Sequence, residues 1–270
     1  YGDWSSDVCS SDLDASPRVG ALAEREAETV AAPPPAGAVV GEVATVDVQP
    51  LVAAGLEIGY CARVGEVDVR FAARGPRASD LVRDAEDIAR ERLGGIIYGA
   101  EGDSLESSVV RALTARHRTL ALAESCTGGF IAHRVTNVPG ASVVFLAGLV
   151  TYSNEAKQQF LGVRAETLAA HGAVSEATVR EMAEGARQKT GAHYAVAVTG
   201  IAGPSGGTPE KPVGTVWIGL ATPRGTEAVR KVNAYDRETF KQVTAQQVLD
   251  LLRRAVEAEA GVGVTPRDQP

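Results

Sequence analysis

Three stretches of this chain hold residues that could do chemistry or hold a ligand. The first, AESCTGGF at 123–130, ends an apolar strand at Ala123, follows it with Ser125 and Cys126, and opens a helix through two glycines. A strand-to-helix turn of this kind presents Ser125 at a helix N-terminus, where backbone N–H groups stabilise an oxyanion or hold a phosphate. Thr127, Gly128 and Gly129 would supply those amides, the glycines because no side chain stands in the way. The second, VTYSNEAKQQFLG at 150–162, ends a strand at Thr151 and Tyr152, caps the next helix with Ser153 or Asn154, and sets Lys157 in its first turn. A positive helix end and burial beside Ser125 both disfavour the ammonium, and only a neutral lysine can take a proton. Moving a lysine from about 10.4 to near 7 takes roughly 4 kcal/mol of differential environment, which desolvation can supply. The third stretch, TGIAGPSGGTPEKPVGTVWIG at 199–219, is a loop dense in Gly and Pro between two strands. Its Thr199, Gly200, Gly203 and Thr215 offer hydroxyls and amides to a ligand, and Lys211 a charge for a phosphate.

Each stretch taken alone has a plainer reading. A serine before glycines at a helix start is often only an N-cap, a lysine is usually solvated, and a Gly/Pro loop often simply connects two strands. Cys126 competes with Ser125 as nucleophile, although no histidine lies near it in sequence and a packed cysteine is the commoner case.

The elements around these stretches alternate. Helices are expected near 105–117, from Thr127, and near 154–161, 165–171, 175–190 and 236–258. Strands are expected at TLALAE, VVFLAGLVTYS, HYAVAVTG, GTVWIGLA and AVRKVNAY. Several strands are apolar on both faces, which predicts a three-layer α/β/α domain over 104–258. Ahead of it, GEVDVRFAA alternates at period two and SDLVRDAEDIARERL has helical spacing, with Ser79 or Asp80 as N-cap and Gly94 and Gly95 at the close. This predicts a small α+β unit over 41–100. Residues 1–40 are expected to be disordered or artefactual: 1–16 resemble translated adaptor sequence, and the prolines of AAPPPAGA at 31–38 suit a linker. Residues 259–270 are expected to form a flexible tail.

AESCTGG, VTYSNEAK, HGAVSE, TGIAGPSGG and KPVGTVWIG, in this order and spacing, resemble the C-terminal domain of the CinA family over roughly Ser104 to Glu257. That family includes stand-alone nicotinamide-nucleotide amidases. The resemblance implies an α/β fold and a serine/lysine hydrolase that converts nicotinamide mononucleotide to nicotinic acid mononucleotide and ammonia. It places the nucleophile on Ser125, the lysine on Lys157 and a supporting tyrosine on Tyr152, the last to relay a proton or orient the lysine. No metal or cofactor is needed for that chemistry. Residues 50–98 resemble the small KH-like domain of full-length members but contain no G-x-x-G loop, which argues against RNA clamping. The molybdopterin-binding-like domain of those members has no counterpart in this sequence, so its ADP-ribose pyrophosphatase activity is expected to be absent. A rival reading is a nucleotide-sensing or partner-binding module that keeps the fold without turnover, in line with the family's link to competence and DNA damage.

Composition bounds the partners. At 44% hydrophobic and 23% charged residues the 270-residue chain can bury a core, and its net charge of −7 disfavours a polyanion, so no nucleic-acid partner is expected. Without a bilayer-length apolar run or a signal-peptide pattern, the reading is a cytoplasmic protein with no membrane partner. Cys9, Cys61 and Cys126 suit a reducing compartment, and His117, His133, His171 and His193 never pair at ligand spacing. A homodimer is expected, with the apolar helix at 236–258 as its surface.

Overall fold

The computed structural model describes residues 48–259, so the expectations for 1–40 and for 260–270 lie outside the described residues. Two compact units emerge. The smaller is built mainly from α1 (Gln49–Ala53), a hairpin of β1 (Glu57–Arg63) and β2 (Glu66–Ala72), and α2 (Ala78–Leu93). Leu56, Leu81 and Ala85 form its core, with Ile58 and Phe71 packed against them. The helix begins at Ala78, whose amide bonds the Gly75 carbonyl, so Ser79 and Asp80 sit inside the first turn instead of capping it.

The larger unit continues with α3 (Leu105–Ala115), β3 (Leu120–Glu124), α4 (Phe130–Thr136), β4 (Phe145–Val150), α5 (Asn154–Leu161), α6 (Ala165–His171) and α7 (Glu176–Thr190). It then runs through β5 (Tyr194–Gly200), β6 (Thr215–Thr222), β7 (Gly225–Val232) and α8 (Arg237–Ala258). The sheet is mixed, in the order β4-β3-β5-β6-β7: β3 pairs in parallel with β4 and β5, and β6 and β7 follow antiparallel. This is the expected α/β/α sandwich. The strand expected at AVRKVNAY instead starts at Gly225 and ends at Val232, because Asn233 turns inward to bond Thr244 and Gln247. The apolar face of α8, expected to be offered to a second subunit, is spent on this unit's own core through Phe240, Leu249, Leu252 and Val256.

Strand alternation divides the sheet into a thick face and a thin one. Leu120 and Leu122 of β3, with Tyr194, Val196 and Val198 of β5, point towards α3, α4 and α8. Ala121, Ala123, Ala195 and Ala197 point the other way, towards α7. Because that second face is made of methyl groups, α7 approaches closely, and glycine removes the last obstacles. A β-carbon on Gly219 of β6 would stand 2.7 Å from the Val179 carbonyl oxygen. On Gly185 of α7 it would stand 1.9 Å from the Leu161 carbonyl oxygen, so α7 is bare where the end of α5 rests on it.

This close stack locates α5, and through it Lys157. Gly185→Ala is therefore expected to overpack a backbone contact that has no flexible atom to yield. The expected cost is about 2–3 kcal/mol, lowering Tm by roughly 5–10 °C. Thermal unfolding followed by circular dichroism measures it, and an unchanged Tm would contradict the packing described.

Candidate active site

Alternation along β3 continues past its last residue. Glu124 shares the parity of Leu120 and Leu122 and points under α4, and Ser125 is turned towards the α5 side. Backbone bonds pin this junction on both flanks: the Ser125 amide donates to the Val198 carbonyl at 3.1 Å, and the Glu124 carbonyl accepts from the Thr151 amide at 2.8 Å. On the other side, Ser153 caps α5 by accepting from the Ala156 amide at 3.1 Å. That cap sets the helix phase so that Lys157 faces inward with only 1% exposure.

The Lys157 Nζ stands 3.1 Å from Ser125 Oγ, 2.9 Å from the Thr151 carbonyl and 3.2 Å from the Tyr152 carbonyl. Two of the three tetrahedral directions on the nitrogen are thus fixed by carbonyls, which only accept. The third lies on the serine hydroxyl. With its proton lost, the amine keeps two N–H donors for the carbonyls and turns its lone pair to Ser125. Among the described residues no carboxylate forms a salt bridge with the amine, and burial holds it below the ordinary lysine range, partly opposed by Cys126 and Glu155.

The turn from 125 to 129 uses two left-handed glycines, Gly128 at φ 63° and Gly129 at φ 95°, so α4 begins at Phe130 and not at Thr127. Two of the three amides expected to face a ligand, those of Gly128 and Gly129, are already engaged. Gly128 N–H donates to the Ser125 carbonyl, and Gly129 N–H donates to Glu124, as does the Thr127 hydroxyl. Cys126 and Thr127 keep amides with no backbone acceptor among the described residues. The Cys126 thiol is buried, and desolvation pushes it up to about 12, a poor state for a rival nucleophile.

A cleft of about 230 Å³ opens onto this pair, lined by Ser125, Cys126, Tyr152, Lys157, Thr199 and Arg237 among others. Of the residues singled out from sequence, Ser125, Tyr152, Lys157, Thr199 and Gly200 come together there. Thr199 donates its hydroxyl to the Ala173 carbonyl at 2.8 Å and so draws the loop before α7 over the cleft. Thr127, Gly128, Gly129, Gly203, Lys211 and Thr215 do not line it. Lys211 reaches instead to the His171 carbonyl at 2.9 Å, and Thr215 is fully buried in β6 with its hydroxyl unpartnered. Gly203 contributes from behind, its carbonyl accepting from Arg237 at 3.1 Å.

Arg237 is the residue that the motifs missed. Its guanidinium is exposed at the mouth of the cleft, donating to the Tyr152 hydroxyl at 2.8 Å, and no carboxylate pairs with it among the described residues. A cue was present, since Arg237 opens a helix behind the Asp236 cap, the same unfavourable cation position that drew attention to Lys157. Tyr152 accordingly touches the lysine through its carbonyl and the arginine through its phenol, which differs from a phenol aimed at the amine.

Two measurements check this electrostatic picture. A lysine whose folded pKa is depressed is protonated more in the unfolded chain between the folded value and about 10.4, so its burial cost is relieved as pH rises through that window. Relative to Lys157→Met, the wild type should gain stability as pH rises towards about 10 in denaturant titrations, and parallel pH curves would refute the depression. Iodoacetamide at pH 8 is expected to modify exposed Cys61 and to spare Cys126 until the protein is unfolded. Early carboxymethylation of Cys126, read by peptide mass spectrometry, would show its thiol to be open.

Comparison with known proteins agrees with this architecture. The family described as the CinA C-terminal domain matches residues 102–256, more than half of the chain. A CinA-like protein of Anaeromyxobacter sp. (strain K) is 50% identical over 207 residues, covering 75% of this chain and 50% of that protein. One of Geobacter metallireducens is 45% identical over 203 residues, covering 74% and 49% respectively. The chain spans about half the length of the curated relatives it matches. Among solved structures, a competence-damaged protein (CinA) superfamily protein from Klebsiella pneumoniae 700603 is 40% identical with a TM-score of 0.55, covering 57% of this chain and 96% of that one. The competence/damage inducible protein CihA from Agrobacterium tumefaciens is 37% identical with a TM-score of 0.52, covering 59% and 99%. By the span of that match, and with the strand-to-helix serine and the buried lysine inside it, the chain belongs to the CinA C-terminal domain family.

Proposed function

We propose that this domain is an amidohydrolase that deamidates nicotinamide mononucleotide, with Ser125 as nucleophile and Lys157 as its base. The observation that supports the reading is the 3.1 Å contact between a buried amine without a salt-bridge partner and the serine hydroxyl, at the floor of an open cleft. A module that only binds nucleotides has no use for a depressed lysine held on a serine by two carbonyls.

In the proposed reaction neutral Lys157 accepts the Ser125 proton as Oγ bonds to the carboxamide carbon. Negative charge builds on the former carbonyl oxygen, and the Cys126 amide, in the lining of the cleft and without a backbone acceptor among the described residues, is the donor of this turn that suits it. The carbon–nitrogen bond then breaks, and Lys157 returns its proton to the leaving nitrogen, which departs as ammonia. Water attacks the acyl-enzyme with its proton passing to Lys157, the Oγ–carbon bond breaks, and the proton returns to Ser125. Arg237, free of a carboxylate and at the cleft mouth, suits an anionic group of the substrate, the role first assigned by sequence to Lys211.

Ammonia release from nicotinamide mononucleotide by the purified protein tests the proposal. Ser125→Ala is expected to lower kcat by at least about 10³-fold and Lys157→Ala by a comparable factor, because the two act as a unit. If the wild type binds the nucleotide but releases no ammonia, the sensing reading takes its place. If Ser125→Ala deamidates at the wild-type rate, the nucleophile is assigned wrongly.

A further inference from the structure

We infer that Glu124 is a positioning residue for the Ser125–Lys157 pair, acting from the opposite face of the sheet; the inference rests on the proposed hydrolase reading. Its side chain is 1% exposed and has no use in the chemistry just described. Four donors converge on its carboxylate. Oε2 accepts from the Thr127 hydroxyl at 2.7 Å, the Gly129 amide at 3.0 Å and the Ile131 amide at 3.1 Å, and Oε1 accepts from the Ala132 amide at 2.8 Å.

These contacts grip residues 127 to 132, the whole junction between the nucleophile turn and α4. Two consecutive left-handed glycines make that junction the most conformationally permissive part of the site, and nothing in the turn's own sequence stiffens it. The Ser125 amide bond to Val198 anchors its near end. Glu124 anchors its far end. The serine is held between the two anchors, and its hydroxyl stays on the lysine.

The same contacts decide where an anion can go. The first amides of α4, which a strand-to-helix turn ordinarily offers to a phosphate or oxyanion, are satisfied by a carboxylate belonging to the protein. Those amides are taken by Glu124, so developing charge in the cleft is left to the amide of Cys126. All four groups on Glu124 are neutral donors, so removing its charge while keeping its shape isolates the effect.

Glu124→Gln replaces one acceptor oxygen by an amide NH2, a donor that must face an N–H, and so loosens the grip without opening a cavity. Misplacing a nucleophile by about 1 Å costs on the order of 100-fold, and kcat for nicotinamide mononucleotide is expected to fall by about that factor. KM should stay within about threefold, because Tyr152, Thr199 and Arg237 stand on other elements. The midpoint of the pH–rate profile should not move, since burial of Lys157 is untouched; a general loosening of the fold would hydrate the amine and push that midpoint to higher pH. Thr127→Val, which deletes one donor, should give the same pattern at roughly a tenth of the size. If Glu124→Gln fails to fold, that variant decides.

Sulfonylation of Ser125 by phenylmethylsulfonyl fluoride, read by mass spectrometry, needs no assumption about substrate and should slow in parallel. Wild-type protein that is neither labelled nor active would remove the hydrolase reading and this inference together. Wild-type protein that is labelled but spares the nucleotide would change the substrate alone, with the labelling rates still deciding the role of Glu124. Variants labelled as fast as an active wild type, or variants whose pH midpoint rises with KM, would overturn the inference and leave the reading intact.

Discussion

An amine with almost no access to water and, among the described residues, no salt-bridge partner is the costly element of this structure. Stripping an ammonium of its hydration costs several kcal/mol even after relaxation, and a buried lysine ordinarily recovers that from a carboxylate or gives up its proton. Here the nearest groups to the nitrogen are two carbonyls and a hydroxyl, which tolerate either state but hold the neutral one in a single orientation. The rest of the domain can be understood as what makes that arrangement persist: the Ser153 cap, the methyl-lined face of the sheet, and the bare patch on α7 that seats the end of α5.

The two halves of the pair are delivered by different physics. Ser125 is placed by β3, a central strand bonded on both sides and buried along its length. Lys157 is placed by a short helix whose phase depends on one cap and whose depth depends on the absence of side chains beneath it. Error in either placement adds directly to the distance between nitrogen and oxygen.

Much of this was legible in the sequence for identifiable reasons. The helices expected near 154–161 and 165–171 are found there, because Ser153 and Gly162 punctuate the first and Gly172 closes the second. Strands with apolar residues on both faces announced the three layers. The nucleophile turn was harder: the glycines signalled a helix start, but their left-handed backbone delays it, and nothing local revealed that the preceding glutamate would take up the helix's free amides. Lys211 and Thr215 were drawn in by composition, which marks a loop as ligand-like without saying which way its side chains turn. Arg237 lies 80 residues beyond Lys157, and only the sheet order brings its helix end over the cleft.

That arginine has a consequence for how such a site can diversify. It stands on the first residue of the longest helix, whose remaining turns are locked into the core by Phe240, Val248, Leu249 and Leu252. The Arg237 side of the cleft is therefore held by the core and can be swapped only at the expense of stability. Ala173 and Val174, by contrast, are small side chains borne on a connection outside the regular elements and outside that core. Relatives that retain the serine and lysine while changing ligand are thus expected to have drifted at these two positions, and a library built to redirect the pocket has its most forgiving starting points there.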